Sequence, residues 1–87
     1  LGFPQFIIIK DKIKISSNDL NDLIMHSKRI FGDANINIED GIKFTWDNKW
    51  IHLRKSNTEP IVRIYAEAED EEIAQGLISK VKSFMNS

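Results

Sequence analysis

With 87 residues the chain has room for one small domain built around a single core, and its 41% hydrophobic and 29% charged residues are those of an ordinary globular protein. Twelve Lys and Arg against 13 Asp and Glu leave a formal net charge of −1, so there is no overall field to draw the domain to a polyanion and any anion site must be local. The absence of cysteine excludes disulfides and thiolate metal sites, and the longest unbroken apolar run, residues 6–9, is far shorter than the ~20 residues that cross a bilayer.

The chain opens at Leu1 without the basic-then-apolar layout of a signal peptide. The expectation is a domain excised from a longer protein, with the cytoplasm as its default home. The first element alternates: Ile7, Ile9, Ile13 and Ile15 fall at odd positions and Lys10, Lys12 and Lys14 at even ones, the period of a strand with one buried face. Asp11 interrupts the apolar set and predicts a bend, a bulge or a place where the strand leaves the core. The period then changes. Leu20, Leu23, Ile24, Ile30 and Phe31 form one helical stripe, with Ser17 or Asn18 available as the cap and Gly32 as the C′ residue.

A short extended piece over 36–38 leads to Asp40-Gly41, a hairpin turn into a strand over 42–46. A second turn at Asp47-Asn48 returns through a strand over 50–53. After the loop Arg54-Lys55-Ser56-Asn57-Thr58-Glu59-Pro60 comes a strand over 61–67. Asp70 then caps a closing helix with Ile73, Leu77, Val81, Phe84 and Met85 as its apolar face. Gly76, inside that helix, costs about 1 kcal/mol against alanine unless a close neighbour offsets it, so close packing is expected there, with a tolerated surface glycine as the near-equal alternative.

The order β-α-β-β-β-α predicts an α+β domain of two layers over residues 1–87: a mainly antiparallel four-stranded sheet with two helices on one face. Strand alternation puts Ile51, Leu53, Val62, Ile64, Ala66 and Ala68 toward the helices. Trp50, His52, Arg54, Arg63, Tyr65 and Glu67 fall on the open face. Neither histidine has ligand partners in view, and no metal site is expected. The row Lys10, Lys12, Lys14 reads as a solvated strand edge, and Trp46, in register with Ile42 and Phe44, as core.

The loop 54–60 carries more polar groups than a hairpin requires. Arg54 offers a planar fork that matches two oxygens of a phosphate or carboxylate. Ser56 and Thr58 add hydroxyls, and Asn57 tolerates the left-handed region around which backbone N–H groups can form an anion nest. Pro60 lacks an N–H and stiffens the exit by holding Glu59 extended. A tetrahedral dianion would suit this set. Ser, Asn and Thr are also common turn residues, and Arg54 could salt-bridge Glu59; composition alone leans slightly to that plainer reading.

The order of residues adds to this. The loop, followed by Arg63-Ile64-Tyr65-Ala66-Glu67-Ala68, resembles the C-terminal domain of the α-D-phosphohexomutases, with Asp40-Gly41-Ile42-Lys43, Trp50, Arg54 and residues 1–14 matching in spacing. The resemblance implies a TATA-binding-protein-like fold and a phosphate grip made by Arg54, Ser56, Asn57 and Thr58. Lys55 would point outward. A carboxylate beside a bound phosphate is unfavourable, so Glu59 would instead orient Arg54 or Arg63. Asn57 stands where many members have glycine, which tilts the chain toward the phosphomannomutase-like and phosphoglucomutase-like branch.

The family's serine-histidine nucleophile motif and aspartate-rich magnesium loop are not found in this sequence. The chain is therefore expected to contain no catalytic residue, with Mg2+ and a hexose 1,6-bisphosphate intermediate belonging to the parent enzyme. Its expected partners are a phosphosugar and the other domains of that enzyme, with neither nucleic acid nor membrane. The competing reading is a small RNA- or protein-binding module; near-neutral charge and the lack of an aromatic ribonucleoprotein motif on the strands argue against it.

Overall fold

The computed structural model describes residues 6–16, 19–56 and 58–86. Five strands and two helices follow in the order β1 (Ile7–Lys14), α1 (Leu20–Ile30), β2 (Asn35–Asn37), β3 (Ile42–Thr45), β4 (Trp50–Lys55), β5 (Ile61–Ala68) and α2 (Glu71–Lys82), with a short 3₁₀ helix, Ser83–Asn86, after α2. The strands form one sheet in the order β1-β5-β4-β3-β2, and every neighbouring pair is antiparallel. The two-layer α+β architecture expected from the pattern is what is found. The sheet has five strands where the pattern predicted four, because the short extended piece turns back at Asp40-Gly41 and pairs Ile36 with Phe44.

Alternation places the core as expected. Ile42, Phe44, Ile51, Leu53, Val62, Ile64, Ala66 and Ala68 are buried in one cluster with Leu23 and Phe31 from the α1 side and Ala74, Leu77, Ile78 and Val81 from α2. A fully buried side chain such as Phe44 contributes about 1.5–3 kcal/mol. Trp46 lies against this cluster, its ring centroid 5.3 Å from that of Phe31 in an edge-on contact.

Two local expectations, a bulge at Asp11 and a left-handed Gly32, are corrected. β1 runs without a bulge, paired to β5 from Ile7↔Ala68 to Lys14↔Ile61. Asp11 is accommodated because Lys82 Nζ reaches its Oδ2 at 2.6 Å and the Lys12 N–H donates to its Oδ1 at 2.7 Å. Ser17 and Asn18 lie outside the described residues, and Asp19 occupies the N-cap position of α1 without a side-chain cap. Gly32 does not have the left-handed φ of a C′ glycine; the end of α1 is closed by the Phe31 N–H donating to the Ser27 carbonyl at 2.9 Å.

The buried stripe of α2 includes Ala74 and Ile78, while Ile73 and Met85 are exposed. The face turned to the sheet is Ala74, Leu77, Ile78 and Val81, and Gly76 lies off it, a surface glycine with nothing within 4 Å of a Cβ built there. Its cap is as predicted, with Asp70 Oδ1 accepting from the Ile73 N–H at 2.8 Å.

Candidate functional site

β4 delivers Arg54 and Lys55 to the edge of the loop, and β5 resumes at Ile61. The loop is held at its base by backbone bonds: the Ser56 N–H donates to the Ile61 carbonyl at 3.0 Å, and the Ile15 N–H to the Pro60 carbonyl at 2.9 Å. Between these anchors Thr58, Glu59 and Pro60 are exposed and Ser56 is half-buried. The Thr58 N–H donates to Ser56 Oγ at 3.3 Å, and the two hydroxyl oxygens stand 3.4 Å apart. Two hydroxyls and a backbone donor therefore converge at the loop tip. Asn57, predicted to lie between them as a phosphate ligand, falls outside the described residues.

Arg54 lies on the open face, as alternation required. Its Nη2 is 3.3 Å from Asp40 Oδ2, with half of the arginine side chain still exposed. The carboxylate beside Arg54 is thus Asp40, not the Glu59 named from the sequence. Glu59 is tied into the loop through its carbonyl, which accepts from the Ile61 N–H at 2.8 Å. The guanidinium has five donors, so one ion pair leaves several free to meet an anion.

The turn that carries Asp40 is fastened to the same strand by two further features. His52 Nε2 donates to the Asp40 carbonyl oxygen, which fixes a proton on that nitrogen because a carbonyl can only accept. Gly41 has φ +70°, and a Cβ built there would lie 2.2 Å from the Leu53 carbonyl oxygen, so the turn approaches the backbone next to Arg54 as only glycine can. This coupling of the 40–41 turn to the loop was missed in the sequence. The one available signal was the β3–β4 hairpin register, Ile42↔Leu53, which puts the residues before 42 beside those after 53.

Arg63 stands directly across from Arg54 in the β4–β5 register and is exposed. Trp50 covers part of the same face, its Nε1–H donating to Glu67 Oε1 at 2.9 Å and Lys43 Nζ lying 4.6 Å from its ring centroid. His26 is away from this region: its Nε2 lies 3.3 Å from the Lys80 carbonyl and 3.2 Å from Ser83 Oγ, a contact between α1 and the end of α2. Among the described residues no three His, Asp or Glu side chains converge as a metal site would require. Among them, too, no helix is long and apolar enough to cross a membrane.

Comparison with known proteins decides the family. Residues 12–83, which contain the whole loop and both arginines, match the phosphoglucomutase/phosphomannomutase C-terminal domain. The chain belongs to this family. A probable phosphoglucosamine mutase of Pyrococcus horikoshii is 36% identical over 89 residues, covering 97% of this chain. A phosphoglucosamine mutase of Methanococcus vannielii is 40% identical over 88 residues, again 97% of this chain. A phosphomannomutase of Methanocaldococcus jannaschii is 31% identical over 74 residues, 85% of this chain. The chain spans about a fifth of the length of these mutases, 20%, 20% and 16% respectively.

Proposed function

We infer that this chain is the substrate-phosphate-binding domain of a phosphohexomutase that interconverts hexose 1-phosphate and hexose 6-phosphate by intramolecular phosphoryl transfer. The observation that carries this reading is the loop tip at which Ser56 and Thr58 converge, two residues along from the half-exposed Arg54, all within the family-matched segment. Arg54, Ser56, Asn57 and Thr58 hold the non-reacting phosphate. Arg63, one strand over, adds positive charge to the same face, and Glu59 shapes the loop.

Charge-assisted bonds from a guanidinium and hydroxyls to a phosphate dianion are the strong kind, and a phosphate gripped at one end aligns the sugar hydroxyl at the other. The domain supplies position rather than reaction, so by itself it does not transfer phosphoryl groups. The nucleophile and the magnesium ion, which would neutralise charge on the transferring phosphoryl group, belong to other domains of the parent chain. A hexose 1,6-bisphosphate turning between half-reactions presents either phosphate to the same loop, a task that a hinged domain suits. Soluble phosphosugar chemistry of this kind goes with a cytoplasmic setting.

The test is a titration of the isotope-labelled chain with glucose 6-phosphate, following the Ser56 and Thr58 amides. Saturable, salt-sensitive shifts at the loop are expected. Equal shifts with neutral glucose, or none at the loop, would overturn the assignment.

A further inference from the structure

The open face carries charge that the near-neutral total conceals. β1 pairs with β5 so that Lys12 lies across from Arg63, and β4 pairs with β5 so that Arg63 lies across from Arg54. Three cations therefore stand side by side on three adjacent strands. Lys10 and Lys14 flank Lys12 on the same face, opposite Tyr65 and Ile61. All three lysines are exposed. A shallow cleft of about 300 Å³ bordered by Lys10, Asp11, Lys12, Arg63 and Tyr65 leaves this side open to solvent, with the Asp11 carboxylate taken up by Lys82. Two carboxylates share this side, Asp40 beside Arg54 and Glu67 bonded to Trp50 Nε1, while Asp70, Glu71 and Glu72 stand at the start of α2.

Protection of a strand edge does not explain this arrangement. A glutamate at position 12 would guard the edge equally well and would gain a cross-strand ion pair with Arg63. A lysine there places like charges opposite one another, which is destabilising. The cation row thus costs stability, and it is continuous with the loop assigned to phosphate.

We propose that Lys10, Lys12 and Lys14 are positioning residues that steer anionic sugar phosphates along the open face to the loop, without holding them. The inference rests on the phosphate-binding reading of that loop. Strands lie ~4.8 Å apart, so the lysine row on β1 sits about 10 Å from Arg54 on β4, too far for contact and near enough for a field. Two charges on a phosphate dianion feel three lysines over that distance strongly at low salt, where the screening length is ~30 Å, and weakly near 0.15 M, where it is ~8 Å.

The experiment compares the chain with its K10Q/K12Q/K14Q variant, using line-shape analysis of the Ser56 and Thr58 amides with glucose 6-phosphate at both ionic strengths. Loss of the lysines should lower the association rate by about fivefold at ~10 mM salt and by about twofold or less at ~0.15 M. The dissociation rate should stay unchanged, and a K10R/K12R/K14R variant should keep the original rates. Equal association rates and salt slopes in the two proteins would overturn the steering role and leave the loop reading intact. A change confined to the dissociation rate would also overturn it, by showing that the lysines hold the anion. Absence of any loop response in the unsubstituted chain would overturn the loop reading and this inference together.

Discussion

Arg54 and Arg63 are direct cross-strand partners on the uncovered face of the sheet, and of the two it is Arg54 that has a carboxylate, Asp40 Oδ2, 3.3 Å away. Two guanidinium groups side by side repel unless an anion lies between or beside them. Asp40 supplies one such anion on the Arg54 side of the pair.

Arg54→Ala should leave the fold intact, because an exposed ion pair such as Arg54–Asp40 contributes about 0–1 kcal/mol. Urea unfolding should give a midpoint close to that of the unsubstituted chain. Glucose 6-phosphate binding should weaken about ten- to a hundredfold, the cost of one charge-assisted group. A variant that unfolds would instead identify Arg54 as a structural residue.

Asp40→Asn tests the competition at the same guanidinium. Asparagine keeps the Asn-Gly pairing favoured in a tight turn and keeps the backbone carbonyl that accepts from His52. It removes the negative charge beside Arg54, so phosphate binding should tighten a few-fold, most at low salt. Weaker binding in a titration would mean that Asp40 orients Arg54 for the anion.

The two glycines at 41 and 76 should respond oppositely to alanine. At Gly41 the new Cβ would meet the Leu53 carbonyl at 2.2 Å with φ at +70°, and a loss of about 2 kcal/mol or more is expected. At Gly76 the Cβ meets nothing within 4 Å, so alanine should stabilise the helix by about 1 kcal/mol. Thermal unfolding of both variants measures the contrast.

Ser27 Oγ is fully buried, and among the described residues it has no hydrogen-bond partner. Removing an unsatisfied hydroxyl from the interior of α1 takes away its desolvation cost and improves helix propensity. Ser27→Ala should therefore stabilise the domain, by about 1 kcal/mol in chemical denaturation. A loss of stability would reveal a partner, such as a buried water.

Asp11 gives the pH dependence a definite sign. The side-chain bond from Lys82, aided by the Lys12 N–H, holds its carboxyl below the usual carboxylate range. A depressed folded-state pKa contributes stability that is present above the unfolded value, about pH 4, and is lost as pH falls through the folded one. Denaturation midpoints taken from pH 6 down to pH 2 should fall less steeply for Asp11→Asn than for the unsubstituted chain. Parallel curves would mean that the Asp11–Lys82 contact is not maintained in solution.

Along β3, β4 and β5 periodicity alone determined which residues enter the core and which face stays open, because side chains alternate with the backbone pleat whatever the strand pairs with; on β1 it did not, since Ile7 is exposed. The Asp70 cap, the Asp40-Gly41 turn and the exposure of Arg54 follow from such local chemistry, as does the grouping of Ser56 and Thr58 in one loop. The tertiary structure alone decided what depends on register between distant segments. Asp40 meets Arg54, Lys12 faces Arg63, and Lys82 reaches Asp11 through pairings and packing whose offsets no local pattern contains. The buried stripe of α2 belongs to the same class: Ile73 is as apolar as Ile78, and only the position of the sheet beneath the helix selects the second.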